Sequence, residues 1–154
     1  MRPTRPRGYH APEEHPPPMR FDLIDHVIET SEGEIRALKQ VSAAEEYLGD
    51  HFPGFPILPG VLMLETLVQA ARRLLEPGEP HRLVLGEVKA VKYGAMVKPG
   101  EALEVHVTAL KRDEAGNWSC KGSGTVRRAD ETTTDRPSGE TAISGRFTMR
   151  PIRV

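Results

Sequence analysis

A histidine at position 51 and a glutamate fourteen residues later, at 65, have the types and setting for paired acid–base work. Between them runs FPGFPILPGVLML, which puts His51 in a proline- and glycine-rich loop and Glu65 inside an apolar stretch. An imidazole titrates near neutrality and can take or give a proton there. A lone loop histidine is more often a surface or structural residue, but Phe52, Phe55 and three prolines restrict where this ring can point. Apolar surroundings disfavour an ionised carboxyl, so a sheltered Glu65 would remain an acid near pH 7. The blander alternative is a glutamate that hydrogen-bonds across an interface or reaches solvent. Gln69, four residues on, shares a helix face with Glu65 and can orient it or simply cap a buried neighbour.

Pro59-Gly60 reads as the loop-to-helix junction. Glycine lets another group approach the backbone closely, and the unpaired amides of a first helical turn can hold an oxyanion. A plain helix start explains the same residues. Taken together, the inventory is a base, a polarising helix end and an acid. It suits removal of a proton beside a thioester carbonyl with departure of a hydroxyl two carbons away, because the enolate-like oxygen needs stabilising and the hydroxyl needs a proton. The sequence has no P-loop, dinucleotide glycine pattern, cysteine pair, HExxH or G-x-S-x-G. Neither metal nor organic cofactor is expected.

These residues need a helix to carry them. GVLMLETLVQAARRLL is apolar on nearly every side except at Glu65 and Gln69. Such a helix needs walls around it, since exposed apolar surface forfeits about 25 cal/mol per Å². Before it, Leu23 to Val41 reads as a hairpin turning at Ser31-Glu32-Gly33-Glu34, and Ser42-Ala43-Ala44-Glu45 has the spacing of a capping box that opens a short helix through Leu48. After it, Glu76 to Pro80 is a stop. Four strands follow, near 82–93, 101–112, 117–128 and 141–150, and 129–140 reads as a protruding loop. One twisted antiparallel sheet around one central helix satisfies this order. It covers only part of the helix, so a second copy of the chain is expected to supply the rest.

The 154 residues suffice for one domain, expected over 21–154, after a Pro/Arg-rich segment (1–20) that cannot bury a core. Net charge of −1 gives no field for nucleic acid, and the single Cys120 excludes an intramolecular disulfide framework. No apolar run reaches membrane-spanning length. A cytoplasmic protein without membrane insertion is the expectation.

HFPGFPILPGVLMLETLVQAA resembles the signature of bacterial 3-hydroxyacyl-[acyl-carrier-protein] dehydratases, in the branch with glutamate on the helix. RFDLIDHV is similar to the family's first-strand segment, and VKPGEALEVHVTALKRD to a later strand opening and its strand. The resemblance covers about 21–149 and implies the α+β hotdog fold. It also implies that His51 and Glu65 are catalytic, that Gly60 binds the thioester carbonyl through its amide, that Val61 lies at the substrate and that Gln69 supports the carboxylate. His51 of one subunit would work with Glu65 of the other, in a homodimer or dimer-based hexamer fed by acyl carrier protein. An acyl tunnel along the helix is implied as well.

Asp50 replaces the family's usual glycine, and Tyr93-Gly94-Ala95-Met96 replaces a more basic stretch. Arg72 and Arg73 suit the helix dipole and could also receive an acidic carrier. The rival readings are a hotdog acyl-thioesterase, in which Glu65 activates water or attacks the carbonyl, and a non-catalytic acyl-binding protein.

Overall fold

The computed structural model describes residues 21–128 and 139–153. The leader expected over 1–20 and most of the 129–140 loop lie outside the described residues. In chain order the elements are β1 (His26–Ser31), β2 (Glu34–Gln40), α1 (Gly60–Leu75), β3 (Leu83–Tyr93), β4 (Ala102–Arg112), β5 (Trp118–Arg127) and β6 (Thr141–Pro151). The strands form one antiparallel sheet in the order β1-β2-β4-β5-β6-β3. Helix α1 packs against β2, β4, β5, β6 and β3. This is the α+β hotdog arrangement.

Period-two patterning builds the sheet. In β4, Leu103, Val105 and Val107 are buried against the helix while Glu104, His106 and Thr108 alternate outward. His106 meets Glu34 at 3.4 Å on that outer face. Cys120 is buried as a small hydrophobe, and burial pushes its thiol up to about 11. Gly122 and Gly124 of β5 face inward. A Cβ at 122 would stand 3.0 Å from a Leu67 methyl of α1, and one at 124 would stand 2.8 Å from Leu103 and 2.9 Å from Ile143. These glycines let the helix and neighbouring side chains close onto the middle of the sheet.

Helix α1 buries Met63, Thr66, Leu67, Val68, Ala70, Ala71 and Leu75. Its other side is not walled by the chain: Val61 is 70% exposed, and Leu62, Leu64 and Leu74 are only partly covered. The helix stops near the expected place, with one further 3-10 turn at Glu76–Gly78.

The capping box at 42–45 forms only in part. Glu45 accepts the Ser42 amide at 2.9 Å, but the Ser42 hydroxyl accepts from Ala44 at 3.2 Å rather than from the Glu45 amide. The helix is therefore shorter and later than expected, a single 3-10 turn at Glu46–Gly49. Sequence patterning also missed Lys39, which occupies an inward β2 position and is buried. Its ammonium reaches Glu45 at 3.0 Å and the Gln40 carbonyl at 3.3 Å, and the Tyr47 hydroxyl also donates to Glu45. Burial pushes the Glu45 carboxyl up, but the hydrogen bonds from Tyr47, Ser42 and Lys39 outweigh it and hold the group below the usual glutamate range. Burial, then the Glu45 contact, pushes the Tyr47 phenol above its ordinary range. This cluster ties down the turn that leads into Asp50 and His51.

Beyond α1, Glu79 fastens the chain to the β4–β5 hairpin. It accepts from Arg112 at 2.9 and 3.1 Å and from the Trp118 indole at 2.8 Å. The Arg112 hydrogen bond, then that of Trp118, holds its carboxyl below the ordinary value of 4.5. A carboxylate lowered in the fold stabilises above its unfolded pKa, and that contribution disappears as pH falls through the folded value. Glu79→Gln should therefore flatten part of the stability loss that begins near pH 4.5 and continues below it. Urea midpoints measured from pH 7 down to pH 3 check this, and an unchanged acid limb would refute it.

Candidate active site

His51 follows the 3-10 turn and is half-buried in a loop closed by its own backbone. The Ile57 amide donates to the His51 carbonyl at 2.9 Å, and Phe52 and Phe55 exchange backbone hydrogen bonds at 3.1 and 2.9 Å. The His51–Phe52 peptide is cis. The imidazole stacks on Phe52 with centroids 4.4 Å apart, and the Lys98 ammonium sits 5.3 Å from the Phe55 ring centre. His51 Nδ1 lies 3.0 Å from the Ile57 carbonyl. A carbonyl only accepts, so Nδ1 carries the hydrogen and the neutral ring presents Nε2 with a free lone pair. The ring is thereby held in the tautomer a general base needs.

The loop then turns into α1. The Leu58 amide donates to Val97 at 2.8 Å, and the Leu62 and Met63 amides donate to the Pro59 carbonyl. Pro59 offers no side-chain cap, so the Gly60 and Val61 amides open the helix without a side-chain acceptor at that position. Tyr93, at the end of β3, lays its ring against Gly60: a Cβ there would meet Tyr93 Cε1 at 2.8 Å. The sequence carries no local signal for this contact, because it arises from β3 returning to the helix N-terminus.

Glu65 and Gln69 meet as their spacing predicts. Gln69 Nε2 donates to Glu65 Oε1 at 3.0 Å and to the Phe21 carbonyl at 3.0 Å, while Gln69 Oε1 accepts from the Leu23 amide at 2.8 Å. Backbone groups on both sides thus fix which end of the Gln69 amide faces Glu65. Arg72 adds a guanidinium 4.0 Å from Glu65. The expected shelter for Glu65 is incomplete, since its side chain is 35% exposed within one chain. The reason is the open side of α1 described above.

Arg72 and Arg73 are already engaged. Arg72 donates to the Leu83 carbonyl at 3.0 Å, and Arg73 pairs with Asp22 at 2.6 Å. His51 and Glu65 share no hydrogen bond or ion pair among the described residues. A cleft of about 490 Å³, lined by Phe21, Glu45, Glu46, Tyr47 and Asp50, adjoins both the His51-bearing turn and the segment that clamps Gln69. No helix of the described residues is long and apolar enough to cross a membrane.

Gln69→Leu removes the bond to Glu65 and orphans the Leu23 amide and Phe21 carbonyl. It should cut kcat roughly 10- to 100-fold, because small misplacements of a reacting group carry penalties of that size, with KM little changed. Steady-state kinetics check this, and equal kcat would show that Gln69 only caps the segment at 21–23.

Comparison with known proteins bears on the family and the fold. The ApeI-like family model, described as ApeI dehydratase, matches residues 27–130. The chain is 42% identical over 95 residues to the 3-hydroxyacyl-[acyl-carrier-protein] dehydratase FabZ of Lactococcus lactis subsp. cremoris, covering 60% of this chain and 66% of that one. It is 39% identical over 111 residues to FabZ of Lactobacillus helveticus, covering 68% and 75%. Its fold is similar to a chain of the dehydratase heterocomplex ApeI:P from Xenorhabdus doucetiae, with a TM-score of 0.57 at 20% identity over 82% and 96% of the two chains. The chain belongs to the ApeI-like dehydratase family and is a relative of the bacterial 3-hydroxyacyl-[acyl-carrier-protein] dehydratases.

Proposed function

We propose that this protein dehydrates 3-hydroxyacyl thioesters, delivered on an acyl carrier protein, to trans-2-enoyl thioesters for fatty-acid or related lipid synthesis. The observation that carries this reading is the His51 tautomer: Nδ1–H is spent on Ile57, which leaves Nε2 as a base in a loop that leads directly to a polarising helix end. Nε2 takes the proton from C2, and the Gly60 amide stabilises negative charge growing on the thioester oxygen. The C3–O bond breaks as Glu65 protonates the departing hydroxyl, which leaves as water. His51 then returns its proton, and Glu65 regains one, by exchange with solvent.

The reacting pair comes from two protomers in this reading. Supporting it, β3 is an outer strand of the sheet with residues 86–90 exposed, and Val61 with the Leu64–Glu65 side of α1 is not covered by the chain. A second copy joined along β3 would cover that side of the helix, shelter Glu65 and bring it a partner imidazole.

The test is incubation of purified protein with a 3-hydroxyacyl chain on carrier protein, following enoyl formation by absorbance and mass. Enoyl product without free thiol supports dehydration. Release of free thiol supports a thioesterase, and binding without turnover supports an acyl-binding role.

A further inference from the structure

Strand β3 does not run straight to the helix. Its register with β6 is continuous from Glu87↔Thr148 to Lys89↔Arg146, then resumes at Lys92↔Ser144 and Tyr93↔Ile143. Three steps along β3 are thus taken for two along β6, and the extra residue makes a β-bulge. Within it Ala90 adopts a φ of 51°, a left-handed backbone that an alanine takes only at a cost. The facing strand makes room for it. A Cβ at Gly145 would stand 2.7 Å from a Val91 methyl and 3.0 Å from the Val91 Cα, so glycine lets the two strands close there.

The extra residue decides which way Tyr93 points. Residues opposite each other on neighbouring strands share a face of the sheet, and one inserted residue swaps the faces of everything beyond it. On β6, Phe147 and Ile143 are buried on the helix side, while Arg146 and Ser144 alternate outward. Were the register of Lys89 continued, Lys92 would stand opposite Ile143 and Tyr93 would turn away from α1. With the bulge Lys92 turns out and Tyr93 turns in. Its ring then lies along Gly60, with Cε1, Cζ and Cδ1 at 2.8, 3.1 and 3.2 Å from where a Cβ would stand. The strand end is fixed beyond it as well. The Gly94 and Ala95 amides donate to Ala142 and Thr141, each at 2.9 Å, and a Cβ at Gly94 would run into the Thr141 carbonyl oxygen. Tyr93 is nevertheless 53% exposed, so the ring is not spent on the core. A strained alanine and two close-packed glycines thus serve one visible result, an open aromatic face beside the first amide of α1. Bulges next to active sites re-aim side chains in this way.

We infer that Tyr93 is the residue that makes the site selective for acyl chains unbranched at C2. This rests on the dehydration proposed above, in which the thioester oxygen accepts from the Gly60 amide. An oxygen held there leaves C2 only two bonds away. The ring already occupies the side of Gly60 where a side chain would stand, so a substituent on C2 meets aromatic carbon rather than open space. Such a wall discriminates by bulk, and one added carbon against a pocket wall is worth roughly 10- to 200-fold in kcat/KM.

Tyr93→Ala tests this in the full-length protein. The substrates are a 3-hydroxyacyl group and its 2-methyl counterpart, each on N-acetylcysteamine so that no carrier contact enters. Both C2 epimers of the branched compound are used, since only one presents its C2 proton to the base. Wild type should prefer the unbranched chain by about tenfold or more in kcat/KM, and Tyr93→Ala should bring the two close to parity. Tyr93→Phe should keep the wild-type preference, because ring carbons make the contact with Gly60. If the alanine variant does not fold, Tyr93→Leu serves, with a smaller loss of preference in the same direction. The ratio is taken on one protein, so a general disturbance of the fold or of the β3 edge slows both substrates alike and leaves it unchanged. An active alanine or leucine variant that keeps the wild-type ratio overturns this role and leaves dehydration intact. A wild type that accepts both chains equally does the same. Loss of preference in the phenylalanine variant overturns the ring wall in favour of the hydroxyl. A wild type that dehydrates neither chain sinks the dehydratase reading, and the role of Tyr93 with it.

Discussion

His51→Ala should lower kcat/KM by about 10²- to 10⁴-fold, the usual contribution of a positioned general base. Glu65→Gln should lower it comparably, and mixing the two inactive proteins should restore activity to roughly one quarter of wild type. The restoration follows from the proposed division of the site between protomers. Half of the dimers in an equal, fully exchanged mixture are hybrids. Each hybrid pairs the intact His51 of one protomer with the intact Glu65 of the other at one of its two sites. Within a single chain the two side chains share no hydrogen bond or ion pair among the described residues, His51 being anchored to Ile57 and Glu65 to Gln69. Neither substitution empties the core, because both side chains are only partly buried. Thermal midpoints near wild type should accompany the lost activity. A mixture that stays inactive after demonstrated subunit exchange would place the reacting groups within one protomer or remove one of them from the chemistry.

Gly124→Val should cause a large loss of stability. The added side chain would begin 2.8 Å from a Leu103 methyl and 2.9 Å from one of Ile143, both fully buried with no exposed side toward which to swing. Overpacking of a close-packed core costs about 1–3 kcal/mol, and two blocked directions favour the upper part of that range. For a domain of this size each kcal/mol lowers Tm by about 2–4 °C, so a drop of roughly 5–10 °C is expected. Gly100→Ala is a useful contrast. A Cβ there meets nothing within 4 Å, and its cost is confined to a backbone φ of +89°. Calorimetry on both variants separates packing from backbone strain. Equal small shifts would mean that β5 can move away from its neighbours and that the glycine is not required by close approach.

The alternation in ALEVHVTALKR and the GVLMLETLVQAARRLL run made the strands and the helix legible to within a residue or two. These are local periodicities, and the protein keeps them because each element needs one buried side. The Glu65–Gln69 bond was legible for the same reason, since four residues is one helical turn. The 42–45 segment shows where local rules fail. Its residues match a capping box, but Glu45 is also drawn to Lys39 on β2, and the turn starts later as a result. Lys39 itself broke the expected pattern because a buried ammonium is tolerated only where a partner reaches it, here Glu45 six residues on, brought back over β2 by the turn that follows.

By itself the sequence determined the reactive inventory: which loop is stiff, where the helix begins and which polar groups ride on it. Spacing and residue type act within a few residues, so these features survive without knowledge of the fold. Only the tertiary structure decided the His51 tautomer, the Tyr93 ring over Gly60, the clamp of residues 21–23 on Gln69 and the extra residue of β3, opposite β6, that turns Tyr93 toward the helix. The His51–Ile57 contact closes within one loop; the others join groups from separate segments, and their distances are set by how strands and helix pack rather than by any pattern readable along the chain. The exposure of Glu65 belongs with them, because whether a side chain is sheltered depends on which surfaces the sheet leaves open.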